Sequence, residues 1–213
     1  MLKSYFTVKA QGHAEIEIQK SRFIGHVKRV ESEEEAQAFI QEIKKEHDQA
    51  THNCSAYMIG EHDQIQRAND DGEPSGTAGV PILEVLKKKG LKDTCIVVTR
   101  YFGGIKLGAG GLIRAYSNAT SEVLKQTGLV ERKLMKEVTI TVDYGLLGKV
   151  ENELRQAHYL INTIDYLEHV HFQVQIEVDR LDPFKSWITD LTHAQVNITI
   201  NGESYLELPV DSQ

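Results

Sequence analysis

The stretch "YFGGIKLGAGGLIRAYSNAT", residues 101–120, joins a strand to a helix through five glycines in the nine positions Gly103–Gly111. Just before it, "TCIVVTR" (94–100) is a short apolar run rich in β-branched residues, the pattern of a buried strand. After it, Leu112, Tyr116, Ala119 and Val123 recur at helical spacing, so one apolar stripe anchors a helix from Gly108 to about Gly128. A glycine-rich helix start can hold a phosphate, because bare amides approach an anion closely and the helix dipole favours negative charge. The two standard nucleotide patterns fail, however. Ala109 and Gly110 stand where a P-loop needs Lys and Ser or Thr, and Ile113 stands where the dinucleotide fingerprint needs its third glycine. Two readings remain: an anion-contacting edge with Lys106 and Arg114, or glycines used for positive φ and close helix-to-strand packing.

Upstream, "AEIEIQ" and "SRFIGHV" read as a hairpin. "SEEEAQAFIQEIKKEH" reads as a helix, with Ser32 as N-cap, Glu35 completing a capping box, and Phe39, Ile40 and Ile43 on its apolar face. "CSAYMIG" and "DQIQRA" read as strands, and "VPILEVLKKKG" as a helix closing at Gly90 with lysines in its last turn. Between them lies "NDDGEPSGTAG" (69–79). Asp70, Asp71, Glu73, Ser75 and Thr77 are candidate ligand contacts there, with Ser75 or Thr77 as the cap of the next helix. The acids do not match a calcium-loop spacing. "THNCSAY" puts His52 and Cys54 on one face of a strand. No oxyanion feature accompanies them, and a buried Cys behaves as a small hydrophobe. No metal, cofactor or catalytic residue is expected.

Downstream, "KEVTITVDY" is a strand, "GLLGKVENELRQAH" a helix and "YLINTIDY" a strand. Val170, Phe172, Val174, Ile176 and Val178 alternate with polar residues, which marks a half-buried strand. Asp182 and Pro183 read as N-cap and first residue of a further helix, and "VNITINGESYLELPV" closes with strand character. The order β-α-β-β-α-β is the ferredoxin-like plan. The expected organisation is α+β in two domains, 1–133 and 134–213, joined near "TGLVERK".

Composition bounds the function classes. Of 213 residues 40% are hydrophobic and 26% charged, as in an ordinary globular protein. No apolar run is long enough to span a bilayer. The start shows no signal-peptide core, and two cysteines make no disulfide framework; both point to the cytoplasm. The net charge of −7 is uneven: residues 134–213 carry −8, whereas 87–133 carry +7 around the glycine loop. Such a basic segment attracts polyanions.

"NDDGEPSGTAGVPILEVL" followed by "VVTRYFGGIKLGAGGLIRAY" resembles the signature of the IMPACT family, in its bacterial YigZ/YvyE branch. The "SRFIGHV" and "THNCSAY" segments are also similar, and the likeness spans essentially the whole chain. The resemblance implies, for the first domain, the ribosomal-protein-like fold of domain IV of elongation factor G, with a left-handed βαβ crossover. For the second it implies the ferredoxin-like domain V of that factor. Eukaryotic relatives regulate translation by competing for the activator of a starvation-responsive kinase, a partner that bacteria lack.

The expected function is a non-catalytic binding module in translation control, contacting RNA or the ribosome. Lys87, Lys88, Lys89, Lys106 and Arg114 would meet phosphates, and Arg100 and Tyr101 bases or sugars. Gly103, Gly104, Gly108, Gly110 and Gly111 would leave the backbone open. Two alternatives are a nucleotide or phosphate-ligand binder (or small-molecule enzyme) using Gly103–Gly111, and a protein-interaction adaptor using the acidic second domain.

Overall fold

The computed structural model describes residues 1–210. The chain runs β1 (Ser4–Val8), β2 (Gly12–Ile18), β3 (Ser21–Arg29), α1 (Glu33–Glu46), β4 (His52–Ile59), β5 (Ile65–Asn69), α2 (Gly79–Lys88), β6 (Thr94–Tyr101), α3 (Gly108–Thr127) and β7 (Leu129–Val142). It continues through α4 (Leu147–Gln156), β8 (Leu160–Tyr166), β9 (Val170–Glu177), α5 (Leu181–Leu191) and β10 (Asn197–Val210). Two compact units result: Tyr5–Arg132 with residues 208–210, and Met1–Ser4 with Lys133–Glu207. The fold is mixed α and β, with two sheets and five α-helices among the described residues.

The larger unit holds the sheet β2-β3-β6-β4-β5, in which every neighbouring pair is antiparallel. Both faces of β6 are covered, which explains its unbroken apolar sequence. Cys95 and Val97 face a cluster with Phe39, Ile40 and Ile43 of α1. Ile96 and Val98 face α2 and α3, where Ile82, Leu86, Leu112, Tyr116, Ala119 and Val123 are buried. The expected stripe of α3 is thus the seam that fixes this helix, each large side chain contributing about 1.5–3 kcal/mol by burial. Ser32 caps α1 through the Glu35 amide (3.2 Å), while the Glu35 carboxylate reaches past it to the Glu31 amide (2.8 Å).

In the smaller unit β9 pairs antiparallel with β7 and β8, and β10 pairs with β7. Val170, Phe172, Val174 and Ile176 are buried against Val150 and Leu154 of α4 and Phe184 and Ile188 of α5. Three details differ from the sequence reading. Val178 leaves the strand and opens a 3-10 turn, Val178–Arg180, which moves the helix start: α5 begins at Leu181, and Asp182 does not cap it. Residues 129–133, in the expected junction, form the start of the fourteen-residue strand β7, and the division between the units falls after Arg132; the charged "ERK" hid the strand. β1 was not anticipated from the sequence.

Candidate functional site

Two glycine-containing loops meet where β6 ends. The first, residues 70–78, is closed by the protein's own donors. Asp70 accepts from the amides of Gly76 (2.8 Å), Ala78 (3.1 Å) and Gly79 (2.8 Å), and so caps α2. Burial pulls its carboxyl upward, but the three amides outweigh it and hold the pKa below the ordinary value. Neither expected cap serves: Ser75 is exposed, and Thr77 Oγ1 donates to the Pro74 carbonyl (2.6 Å). Asp71 takes the Asn53 amide (2.6 Å) and the Lys44 ammonium (2.6 Å). Glu73 is buried. Its Oε1 accepts from Arg100 Nη1 and the Tyr116 hydroxyl, both at 2.7 Å, and its Oε2 lies 3.7 Å from His52 Nε2. All three acids are therefore engaged within the fold.

Arg100 is the pin between the loops. It is only 5% exposed, and its guanidinium lies 5.4 Å from the ring centres of both Phe23 and Phe102. The expectation that Arg100 meets bases gives way to an ion pair with Glu73, because β6 points this side chain inward toward α2 and α3. Alternation turns Tyr101 to the opposite face, where its hydroxyl lies 2.9 Å from His47 Nδ1. His47 also lies against His26, their ring centres 5.0 Å apart and the rings tilted by 52°. Burial first, then the charges of His47 and His13, push the His26 pKa down to about 4. The exposed aromatic at the strand end is Phe102, not Tyr101.

Cys54 is wholly buried. Its thiol has the Asp70 carbonyl (2.9 Å) as its nearer acceptor and the Tyr116 hydroxyl at 3.3 Å, and burial pushes its pKa up to about 12. Burial thus favours the neutral thiol over the thiolate, which is the nucleophilic form.

The second loop, residues 102–107, is tied down at its root and open beyond. The Phe102 amide donates to Thr51 Oγ1 (3.0 Å) and the Gly103 amide to Ser21 Oγ (3.1 Å). A Cβ on Gly103 would lie 2.0 Å from the Lys20 carbonyl oxygen, so only glycine permits this approach. Gly104 (φ +85°) and Gly108 (φ +69°) are left-handed with open space where side chains would be. Helix α3 starts at Gly108 with no side-chain cap. Gly110 is exposed and Gly111 half-buried. Lys106 and Arg114 are exposed, and no Asp or Glu occurs between Asp93 and Glu122. Phe102, Ile105 and Ile113 are exposed beside them at 46%, 41% and 42%.

Lys87, Lys88 and Lys89 are elsewhere. They end α2, at the end of the sheet where β6 begins rather than ends. Eight strand residues separate the two regions, roughly 25 Å. The basic segment of the sequence therefore divides in space. The anchors Ser21 and Thr51 were not foreseen; their signal lay in the "SRF" and "THN" motifs, which were read for strand character, the Cys54–His52 pair and family likeness but not as anchors.

This mixed α and β fold with a glycine-rich edge at the end of β6 has its relatives in one class of protein, the IMPACT family. Residues 19–124 match the Impact N-terminal domain, and residues 140–195 match a domain of unknown function, DUF1949. The chain is 60% identical to IMPACT family member YvyE of Bacillus subtilis over 99% of its length and 97% of that protein. It is 34% identical to IMPACT family member YigZ of Escherichia coli, over 85% of this chain and 90% of that one. A protein IMPACT homolog of Dictyostelium discoideum is 38% identical over 49% of this chain and 31% of its own. A solved structure described as that of a hypothetical protein superposes with a TM-score of 0.60 at 32% identity, covering 93% of this chain and 97% of its own. The chain belongs to the IMPACT family and is a bacterial YigZ/YvyE-type member. Among the described residues no helix is long and apolar enough to cross a membrane.

Proposed function

We propose that this protein is a cytoplasmic, non-catalytic regulator of translation that binds RNA or the ribosome through the edge formed by Lys106, Gly108, Gly110, Gly111 and Arg114. The observation that carries this reading is the uncapped, acid-free start of α3 beside a loop whose own acids are all engaged. Open amides and two exposed cations there suit phosphates. The resemblance to eukaryotic relatives that regulate translation supports it. So does the likeness to elongation factor G: strands β10, β7, β9 and β8 with α4 and α5 on one face fit a ferredoxin-like, domain V-like unit, and the first unit is read as domain IV-like. Asp70, Asp71, Glu73 and Thr77 shape the neighbouring loop rather than touch a ligand. Lys87–Lys89 contribute only long-range attraction.

The test is co-sedimentation with ribosomes at low and high salt, using wild type and Lys106→Glu/Arg114→Glu. Wild type should pellet at low salt and be released by salt, and the variant should pellet less. Equal pelleting removes the site; no pelleting at low salt removes the ribosome. A protein partner is the second reading, favoured by the exposed Phe102, Ile105 and Ile113.

A further inference from the structure

We propose that Phe102 is a stacking surface for an unpaired base, which makes single-stranded RNA the ligand of the open edge. This rests on the RNA-binding reading above and narrows it. Phe102 is 46% exposed, and its backbone is anchored by hydrogen bonds. Its amide is tied to Thr51 Oγ1, and the next residue is tied to Ser21 Oγ and pressed against the Lys20 carbonyl. One side of its ring lies by the Arg100 guanidinium, itself fixed by Glu73 and backed by the buried Phe23. The Arg100 guanidinium, 5.4 Å from each ring centre, thus lies by both the buried Phe23 and the half-exposed Phe102.

Such a ring offers a sequence-tolerant partner to any base, and holding it fixed beforehand lowers the ordering cost of binding. The surrounding charge selects the ligand. Lys106 and Arg114 are exposed, Gly104 and Gly108 leave room beside the backbone, and no acid interrupts residues 94–121. In a duplex the bases are already stacked and paired, so only an unpaired base reaches the ring.

The experiment is fluorescence anisotropy at two salt concentrations with a fluorescein-labelled single-stranded RNA dodecamer and the same sequence as a duplex. Wild type should favour the single strand. Phe102→Ala should weaken single-strand binding roughly tenfold and leave duplex binding unchanged, whereas Phe102→Trp should retain it. Lys106→Glu/Arg114→Glu should weaken both and flatten the salt dependence. Thermal melting of each variant shows whether the fold is kept. If Phe102→Ala binds the single strand as wild type does, stacking is overturned while charge-based binding stands. If wild type binds neither probe at low salt, both readings fall. If binding is lost equally for Phe102→Ala and Phe102→Trp, shape at this position matters rather than its π-face, and stacking is again overturned.

Discussion

The two loops at the end of β6 are close in composition and opposite in character. Each is rich in glycine, each leads into a helix, and each is tied to Arg100 or its neighbours. In residues 70–78 an acid precedes the helix and turns inward, so amides, guanidinium and hydroxyls are consumed by the fold. In residues 102–107 no acid is present, and the helix start is left for something else. A glycine-rich helix entry therefore becomes framework or surface according to whether the chain supplies its own anion.

The largest test of this contrast removes the pin. Arg100→Met leaves the buried Glu73 carboxylate with Tyr116 as its remaining close donor. It should cost about 3–5 kcal/mol in urea unfolding; a loss below about 1 kcal/mol would mean that the ion pair is incidental. Acid attacks the sheet rather than the open loop. In the fold His26 is depressed to about 4 from its ordinary value of 6.5. Its contribution is present above the unfolded value and is lost as the pH falls from 6.5 toward 4, where the unfolded chain takes up the proton first. Stability should fall over that window by up to about 1.4 kcal/mol per pH unit, and His26→Phe should flatten it. Below that window the depressed Asp70 adds a second loss as it is protonated.

Gly103→Ala probes the tied root of the open loop. The clash with Lys20 should cost about 1–3 kcal/mol, and Gly104→Ala should not share the clash, paying only for its positive φ. Asp70→Ala uncaps α2 and should cost about 0.5–2 kcal/mol, which makes the closed loop resemble the open one. The smallest effect belongs to Lys87→Glu/Lys88→Glu/Lys89→Glu. Thermal melting should move by no more than about 0.5 kcal/mol, and RNA binding should fall less than in Lys106→Glu/Arg114→Glu.

Much of the framework was legible because it is written in short-range pattern. The β-branched run 94–98, the stripe of α3 and the alternation of β9 each report their own burial. The site was less legible because its partners are distant in sequence. Arg100 finds Glu73 across 27 positions, and Asp70 caps a helix that starts nine residues later. Local spacing shows a cation at a strand end and a serine near a helix start, and both suggest the wrong role. The parity of β6 held one usable clue. With Ile96 and Val98 facing α2 and α3, Arg100 must point to the same side and Tyr101 to the other.

The two thiols stand on that same parity. Cys54 and Cys95 are wholly buried, on opposite faces of adjacent strands, and each is pushed up to about 12. Neither is presented to a reagent in the folded protein, yet each becomes an ordinary reactive thiol once its side of the sheet opens. They form a pair of internal chronometers. The rate at which a maleimide marks Cys95 times the departure of α1, and the rate at Cys54 times the departure of α2 and α3.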